Sequence, residues 1–325
     1  MSDSDSVNAG QSVLVADVGG TNARFALADA TTGAVIARQD FRSADPQLSG
    51  VGLITQALDA FGAQPAACVV AVAGPVRDGR GKLTNGHLEF DARELAEIGL
   101  WSTRVINDFE AVAYGVHADT AVAPLGDLRE PTDGVRGVLG AGTGLGVGIV
   151  LPDGSVLPSE GGNADFAPGN EREAEVLGRL RARYGVVRWE TLASGPGLVN
   201  LYEVLAAMAG RDVEPLEPAD VVDQARDGEP LAVEVIDMFC AVLGACAGNL
   251  ALTLAARGGI YLAGGIPPRI PEMLASSRFR ERFEARGPLT HFVADIPTFL
   301  VTEPDPGLAG AIRCAQGLLT DLGLE

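Results

Sequence analysis

An α/β fold of two lobes, each a duplicated β-hairpin-initiated α/β unit, with a cleft between them, is what this sequence predicts. Three observations carry the prediction. A short apolar run reaches Gly19-Gly20-Thr21-Asn22 and continues into period-two alternation, so it reads strand, turn, strand rather than strand, turn, helix. The pattern recurs at Gly142-Thr143-Gly144, with Asp153-Gly154 standing where Thr32-Gly33 stands in the first copy. The length of 325 residues suits two domains at roughly 100–200 residues each.

The elements follow in order. VLVADV (13–18) is the first strand; ARFALAD (23–29) is the second, with Phe25 and Leu27 on one face. Thr32-Gly33 turns the chain into AVIARQDF (34–41). Val51, Ile54, Leu58 and Phe61 recur at helical spacing and predict a helix over 48–61. CVVAVAG (68–74) is a buried strand, DARELAEIGL (91–100) a helix and TRVIND (103–108) a strand. In the second copy GVRGVLGAGTGLGVGIVLPDGSV (134–156) holds three strands, followed by helices near 170–184, 196–209, 218–226 and 230–257 and a strand at 259–265. The uncharged run Phe239–Ala256 just reaches transmembrane length. Asn249, Thr253 and its many Ala and Gly residues mark it instead as a helix buried between layers.

Composition bounds the function. Forty-three acidic against 24 basic side chains give a formal net charge of -19, which disfavours phosphate-backbone contacts and hence a nucleic-acid partner. Cys68, Cys240, Cys246 and Cys314 lie far apart without CxxC spacing and read as buried thiols of a reducing compartment. His87, His117 and His291 share no metal-ligand spacing, and neither a P-loop nor a GxSxG elbow is present. Residues 1–12 are small and polar, with Asp3 and Asp5 where a signal peptide carries positive charge, so they predict a solvated, disordered tail on a cytoplasmic protein that is not membrane-bound.

The glycine turns are the candidate phosphate sites. A Gly-rich turn exposes several backbone N–H groups to one point, because glycine permits φ > 0 and carries no Cβ. Gly19, Gly20, Thr21 and Asn22 in one lobe and Gly142, Thr143 and Gly144 in the other can hold a polyphosphate, although Gly pairs also serve simply to make tight hairpins. Asp17, just before the first turn, offers a carboxylate to Mg²⁺ through water. Ala263-Gly264-Gly265-Ile266 ends a strand and could lie flat on an adenine ring or merely cap the strand. Asn107-Asp108 stands at the end of an apolar strand, where α/β folds collect ligands. There Asp108 is either a general base toward an alcohol or the N-cap of the helix that follows. Glu160, Gly161, Gly162 and Asn163 form a second polar cluster suited to a polyhydroxyl ligand, and Glu190 is either a further carboxylate or an ordinary exposed charge.

LVADVGGTNARFALAD, AVAGPV, LTNG, VINDFEAVAYG, LGAGTGLGVGIV, LPSEGGNADFAP, LASGPGLVNLYE, GGIYLAGGIPPR and DPGLAGA, in this order between residues 13 and 311, together resemble the bacterial glucokinase family. The resemblance implies the actin-like ATPase, ribonuclease H-like fold. It assigns a small α/β domain to 13–118 plus 309–325 and a large one to 119–308. It implies phosphorylation of glucose by MgATP at the 6-hydroxyl, the first step of glycolysis, in a cytoplasmic homodimer. Carried onto these positions, Asp108 is the base, and Asn107, Asp108, Glu160 and Glu190 contact the sugar. Asp17, Gly19, Gly20, Thr21, Asn22, Gly142, Thr143 and Gly144 attend the ATP phosphates, with Gly264 and Gly265 on the adenosine side. The family pattern usually reads Glu-Gly-Gly-His with a sugar-contacting His; here that position is Asn163. Asn is shorter and cannot be cationic, and one displaced hydrogen bond would weaken sugar binding by about 1–3 kcal/mol. A kinase for another hexose or amino sugar, or a weakly catalytic sugar sensor, therefore stands beside the glucose reading. Leu88 also departs from the family, taking the place of a frequent Trp.

Overall fold

The computed structural model describes residues 11–117, 119–126 and 130–323, so most of the tail expected over 1–12 lies outside the described residues. Ser12 is not part of a tail; it is buried and opens the first strand. The chain divides into two compact units, Met1–Ala118 with Pro304–Glu325, and Asp119–Glu303. The returning segment thus starts at Pro304 rather than at 309. Asp305 belongs with the first unit because Arg24 and Arg38 both pair with its carboxylate.

The first unit holds β1 (Ser12–Val18), β2 (Asn22–Asp29), β3 (Val35–Arg42), α1 (Gly50–Phe61) and β4 (Ala67–Val72). After these come β5 (Val76–Arg77), β6 (Arg80–Lys82), β7 (Glu89–Asp91), α2 (Ala92–Glu97), β8 (Thr103–Asn107) and α3 (Asp108–Tyr114). The main sheet has the order β3-β2-β1-β4-β8, with the hairpin strands antiparallel and β1, β4 and β8 parallel. Apolar residues of β1 alternate between two cores. Leu14 and Ala16 pack with Phe25, Leu53, Ile54 and Cys68; Val13 and Val15 pack with Ile106 and with Leu308, Ala311 and Ile312 of the C-terminal helix Pro306–Asp321. That helix is further tied to the β2–β3 turn, where the Gln316 amide donates to the Ala30 and Thr31 carbonyls.

The second unit holds β9 (Val122–Pro124), β10 (Arg136–Ala141), β11 (Leu145–Val150), β12 (Val156–Ser159), α4 (Glu171–Tyr184), α5 (Gly195–Met208) and α6 (Pro218–Arg226). It continues through α7 (Pro230–Leu254), β13 (Ile260–Ala263), α8 (Pro271–Ser276), α9 (Phe279–Glu284), α10 (Thr290–Ala294) and β14 (Thr298–Val301). The sheet order β12-β11-β10-β13-β14-β9 repeats the first unit strand for strand, with β9 added at one edge. The long apolar α7 is the core of this unit. Met238 to Ala247 are all buried, so its all-round hydrophobicity is explained by packing. The short strands β5, β6, β7, β9 and β14 and helices α8 to α10 were not anticipated, because segments of two to six residues are too short to display a period.

Candidate active site

In each unit three parallel strands bring separate sequence motifs to one sheet edge. In the first, the register pairs Asp17 with Ala71 and Val72 with Asn107, so the ends of β1, β4 and β8 coincide. Asp17 and Asp108 therefore emerge at the same edge. In the second, Gly140 pairs with Ala263, which sets the Gly142–Gly144 turn beside Gly264-Gly265. The Ile266 N–H donates to the Ala141 carbonyl at 3.0 Å and closes that corner.

The N-cap role weighed for Asp108 falls to Asn107. Its Oδ1 accepts the N–H of Phe109 at 2.8 Å and of Glu110 at 3.4 Å, while its Nδ2 donates to the Gly74 carbonyl at 3.0 Å. Asp108 is instead the first helical residue, and its Oδ1 accepts the Phe109 N–H at 2.9 Å. Its carboxyl is pushed up to about 6, first by burial and then by the charge of Asp17; the Phe109 N–H opposes both. Burial also raises Asp17, against the pull of Arg24, whose Nη1 lies 3.7 Å from its Oδ2.

In the two turns Gly20 and Gly144 are present for space rather than for left-handed backbone. None of Gly19, Gly20, Gly142 and Gly144 has positive φ, so the expectation of φ > 0 at these turns is corrected. A Cβ on Gly20 would stand 2.4 Å from the Asn85 carbonyl oxygen, and one on Gly144 would stand 2.6 Å from Glu190 Oε2. Gly264 combines both reasons, with φ +88 and a Cβ position 2.5 Å from the Ala141 carbonyl oxygen. Not every N–H of the turns is available either. Gly19 N–H donates to the Asn22 carbonyl and Gly142 N–H to the Gly144 carbonyl, matching closures in the two copies. Among the described residues, the N–H groups of Gly20, Thr21, Thr143 and Gly144 make no such backbone bond.

The sugar-side candidates of the second unit are held as one network. Glu190 is no free-standing surface charge, since its Oε2 accepts the Leu145 N–H at 3.0 Å, directly after the second turn. The short helix Gly161–Asn163 lies on the same residue, and Asn163 Nδ2 donates to Glu160 Oε2 at 3.1 Å. Sequence reasoning missed Arg188, which donates to the Asn163 side-chain Oδ1 and approaches Glu190 Oε1 to 3.8 Å. It also missed Ser43, whose hydroxyl donates to the Gly19 carbonyl at 2.6 Å and fastens the first turn, and Arg24 with Asp305 beside Asp17. Neither has a local signal; both contacts join distant segments.

Burial pushes the thiols of Cys68, Cys240 and Cys246 up to about 12 and that of Cys314 to about 11, so none is a nucleophile near neutral pH. Among the described residues, no group of three or more His, Cys, Asp or Glu side chains is placed to hold a metal ion by protein ligands alone.

The glucokinase family model matches residues 14–318. A glucokinase from Nitrobacter hamburgensis is 40% identical over 304 residues, spanning 91% of this chain and 95% of its own length. One from Paramagnetospirillum magneticum is 39% identical over 324 residues, spanning 96% and 98%. Among solved structures, glucokinase from an Antarctic psychrotroph superposes with a TM-score of 0.83 at 34% identity, covering 94% of this chain and 99% of that one. A ROK family glucokinase from Streptomyces griseus, in complex with glucose and AMPPNP, shares the fold at a TM-score of 0.63 and 20% identity, covering 94% and 99%. The fold is the actin-like ATPase, ribonuclease H-like one.

Proposed function

Since the chain belongs to the glucokinase family, we propose that it transfers the γ-phosphoryl group of ATP to the 6-hydroxyl of glucose, with Asp108 as the base. The observation that carries this reading is the state of Asp108: half-buried, free of the capping duty, and raised to about 6. Such a carboxylate is ionised at neutral pH yet more basic than an ordinary aspartate, which suits proton abstraction from an alcohol. The hydroxyl proton passes to Asp108, the sugar oxygen bonds to the γ-phosphorus, and the bond from that phosphorus to the bridging oxygen breaks with its electrons leaving on ADP. Glu160, Asn163, Glu190 and Asn107 are the proposed sugar contacts. The N–H groups of Gly20, Thr21, Thr143 and Gly144 are the proposed phosphate donors, and Gly264 and Gly265 lie on the adenosine side.

A divalent cation fits beside Asp17. Two half-buried carboxylates, Asp17 and Asp108, raise one another's energy when ionised, and a cation there relieves the repulsion. Mg²⁺ keeps most of its waters and takes one or two carboxylates plus substrate phosphates, so Asp17 suffices without a protein cage. When bound it neutralises charge on the transferring phosphoryl group. The family resemblance also supports a cytoplasmic homodimer, and light scattering after size exclusion reads its mass directly.

Two measurements test the reading. A coupled assay of ADP release is run with glucose, mannose, fructose, glucosamine and N-acetylmannosamine at millimolar concentration. Turnover on glucose is expected; turnover on another member alone moves the substrate to that sugar, and none on any sugar leaves a binding protein without kinase activity. The second is a pH profile. Asp108 must be ionised, so kcat/KM should be flat above pH 7 and fall by about tenfold per pH unit below about 6. A profile flat down to pH 5 would remove Asp108 from the base role.

A further inference from the structure

We infer that Arg188 is a specificity-determining positioning residue of the sugar site, aligning Asn163 and Glu190 for the substrate's hydroxyls; this rests on the glucose-kinase reading above. The backbone places Arg188 there. Residues 164–166 and 187–189 form an isolated antiparallel bridge, with Phe166 N–H on the Val187 carbonyl and Trp189 N–H on the Ala164 carbonyl, both at 3.0 Å. The buried rings of Phe166 and Trp189 meet edge to face at 5.2 Å beneath it. Asn163 and Arg188 are thereby neighbours although 25 residues apart in sequence.

The guanidinium then helps to settle which way the Asn163 amide points. Its donation to Oδ1 leaves Nδ2 facing Glu160, where it donates at 3.1 Å, and leaves the second amide hydrogen for a ligand. Glu160 and Arg188 enforce the same orientation, because the flipped amide would set its oxygen against the Glu160 carboxylate and its NH2 against the guanidinium. On its other side Arg188 lies 3.8 Å from Glu190 Oε1, whose partner oxygen is anchored on the Leu145 N–H. One planar cation thus spans the two side chains, a task its fork geometry suits and a point charge does not. Arg188 and Glu190 line a cavity of about 440 Å³ together with Thr143 and Ser194. At position 163 an amide and an arginine together supply a donor and a positive charge.

The test is steady-state kinetics of wild type, Arg188→Ala, Arg188→Lys and Arg188→Gln, each with its melting temperature, and of Arg188→Ala in an Asn163→His background. Arg188→Ala should raise the glucose KM about 10- to 100-fold, leave the ATP KM within threefold, and keep kcat and melting temperature near wild type. Lys should recover only part of the loss and Gln none. In the Asn163→His background, where no amide needs orienting, the Arg188→Ala effect should shrink to threefold or less. An unchanged glucose KM in Arg188→Ala, equal losses for sugar and ATP, or full additivity with Asn163→His each overturns the inference. Wild type that does not phosphorylate glucose overturns the parent reading instead, so the two failures are distinguishable.

Discussion

Asp108→Asn should lower kcat by about 10²–10⁴ while glucose affinity stays within about tenfold of wild type. The substitution keeps the shape and the Oδ1 that accepts the Phe109 N–H, and removes only the ability to take a proton. It should also stabilise the protein, which separates a lost base from a damaged fold. A carboxyl raised from 3.8 to about 6 carries on the order of 3 kcal/mol against its charged form, an upper figure for a half-buried group. The native state holds this proton more tightly than the unfolded chain does. Its contribution is therefore fully present below about pH 4 and lost as pH rises through 6. The variant lacks that dependence, so its melting temperature should exceed wild type by several degrees at pH 8 and converge with it near pH 4. Near-wild-type turnover at pH 8 would take Asp108 out of the mechanism; a lower melting temperature would contradict the buried-charge account.

The second large effect is expected at Gly162. A Cβ there would lie 1.9 Å from the Leu145 carbonyl oxygen and 2.9 Å from its carbon, both backbone atoms that cannot swing aside. Alanine must push the Gly161–Asn163 turn off the start of β11, and that turn carries Glu160 and Asn163 at its two ends. A displacement of about 1 Å at substrate-positioning groups costs roughly 10²-fold, so kcat/KM for glucose should drop by that order. Stability should fall by about 1–3 kcal/mol from the overpacking. Gly178 in α4 is the control, because nothing stands within 4 Å of its Cβ position. Gly178→Ala should be neutral or gain about 0.4–1 kcal/mol. If Gly162→Ala kept kcat/KM within threefold of wild type, the turn would not be what holds the sugar-side residues.

Much of this site is legible along the chain. Asp17, Asp108, the two glycine turns and the Glu160–Asn163 cluster all sit at strand ends or tight turns, and those positions follow from local periodicity and turn chemistry. The role of Asp108 was ambiguous because an Asp at a strand end is as good an N-cap as a base. Only the approach of Gly74 to Asn107 decided it, fixing the amide and freeing the carboxylate. Glu190 looked like an ordinary surface charge because its partner, the Leu145 N–H, is 45 residues away.

By itself the sequence determined the two duplicated α/β units, the strands that end in ligand-ready turns, the buried character of α7 and the small residues where backbone comes close. Each of these depends on neighbours within a few residues, and period, cap and turn preferences report such neighbours directly. The tertiary structure alone decided why the glycines are there. It showed Gly20, Gly144 and Gly162 making room for Asn85, Glu190 and the Leu145 carbonyl rather than permitting unusual backbone angles. It alone joined Arg188 to Asn163 and raised Asp108 beside Asp17. Those facts arise from distances between remote segments and from exclusion of water, which no local pattern encodes.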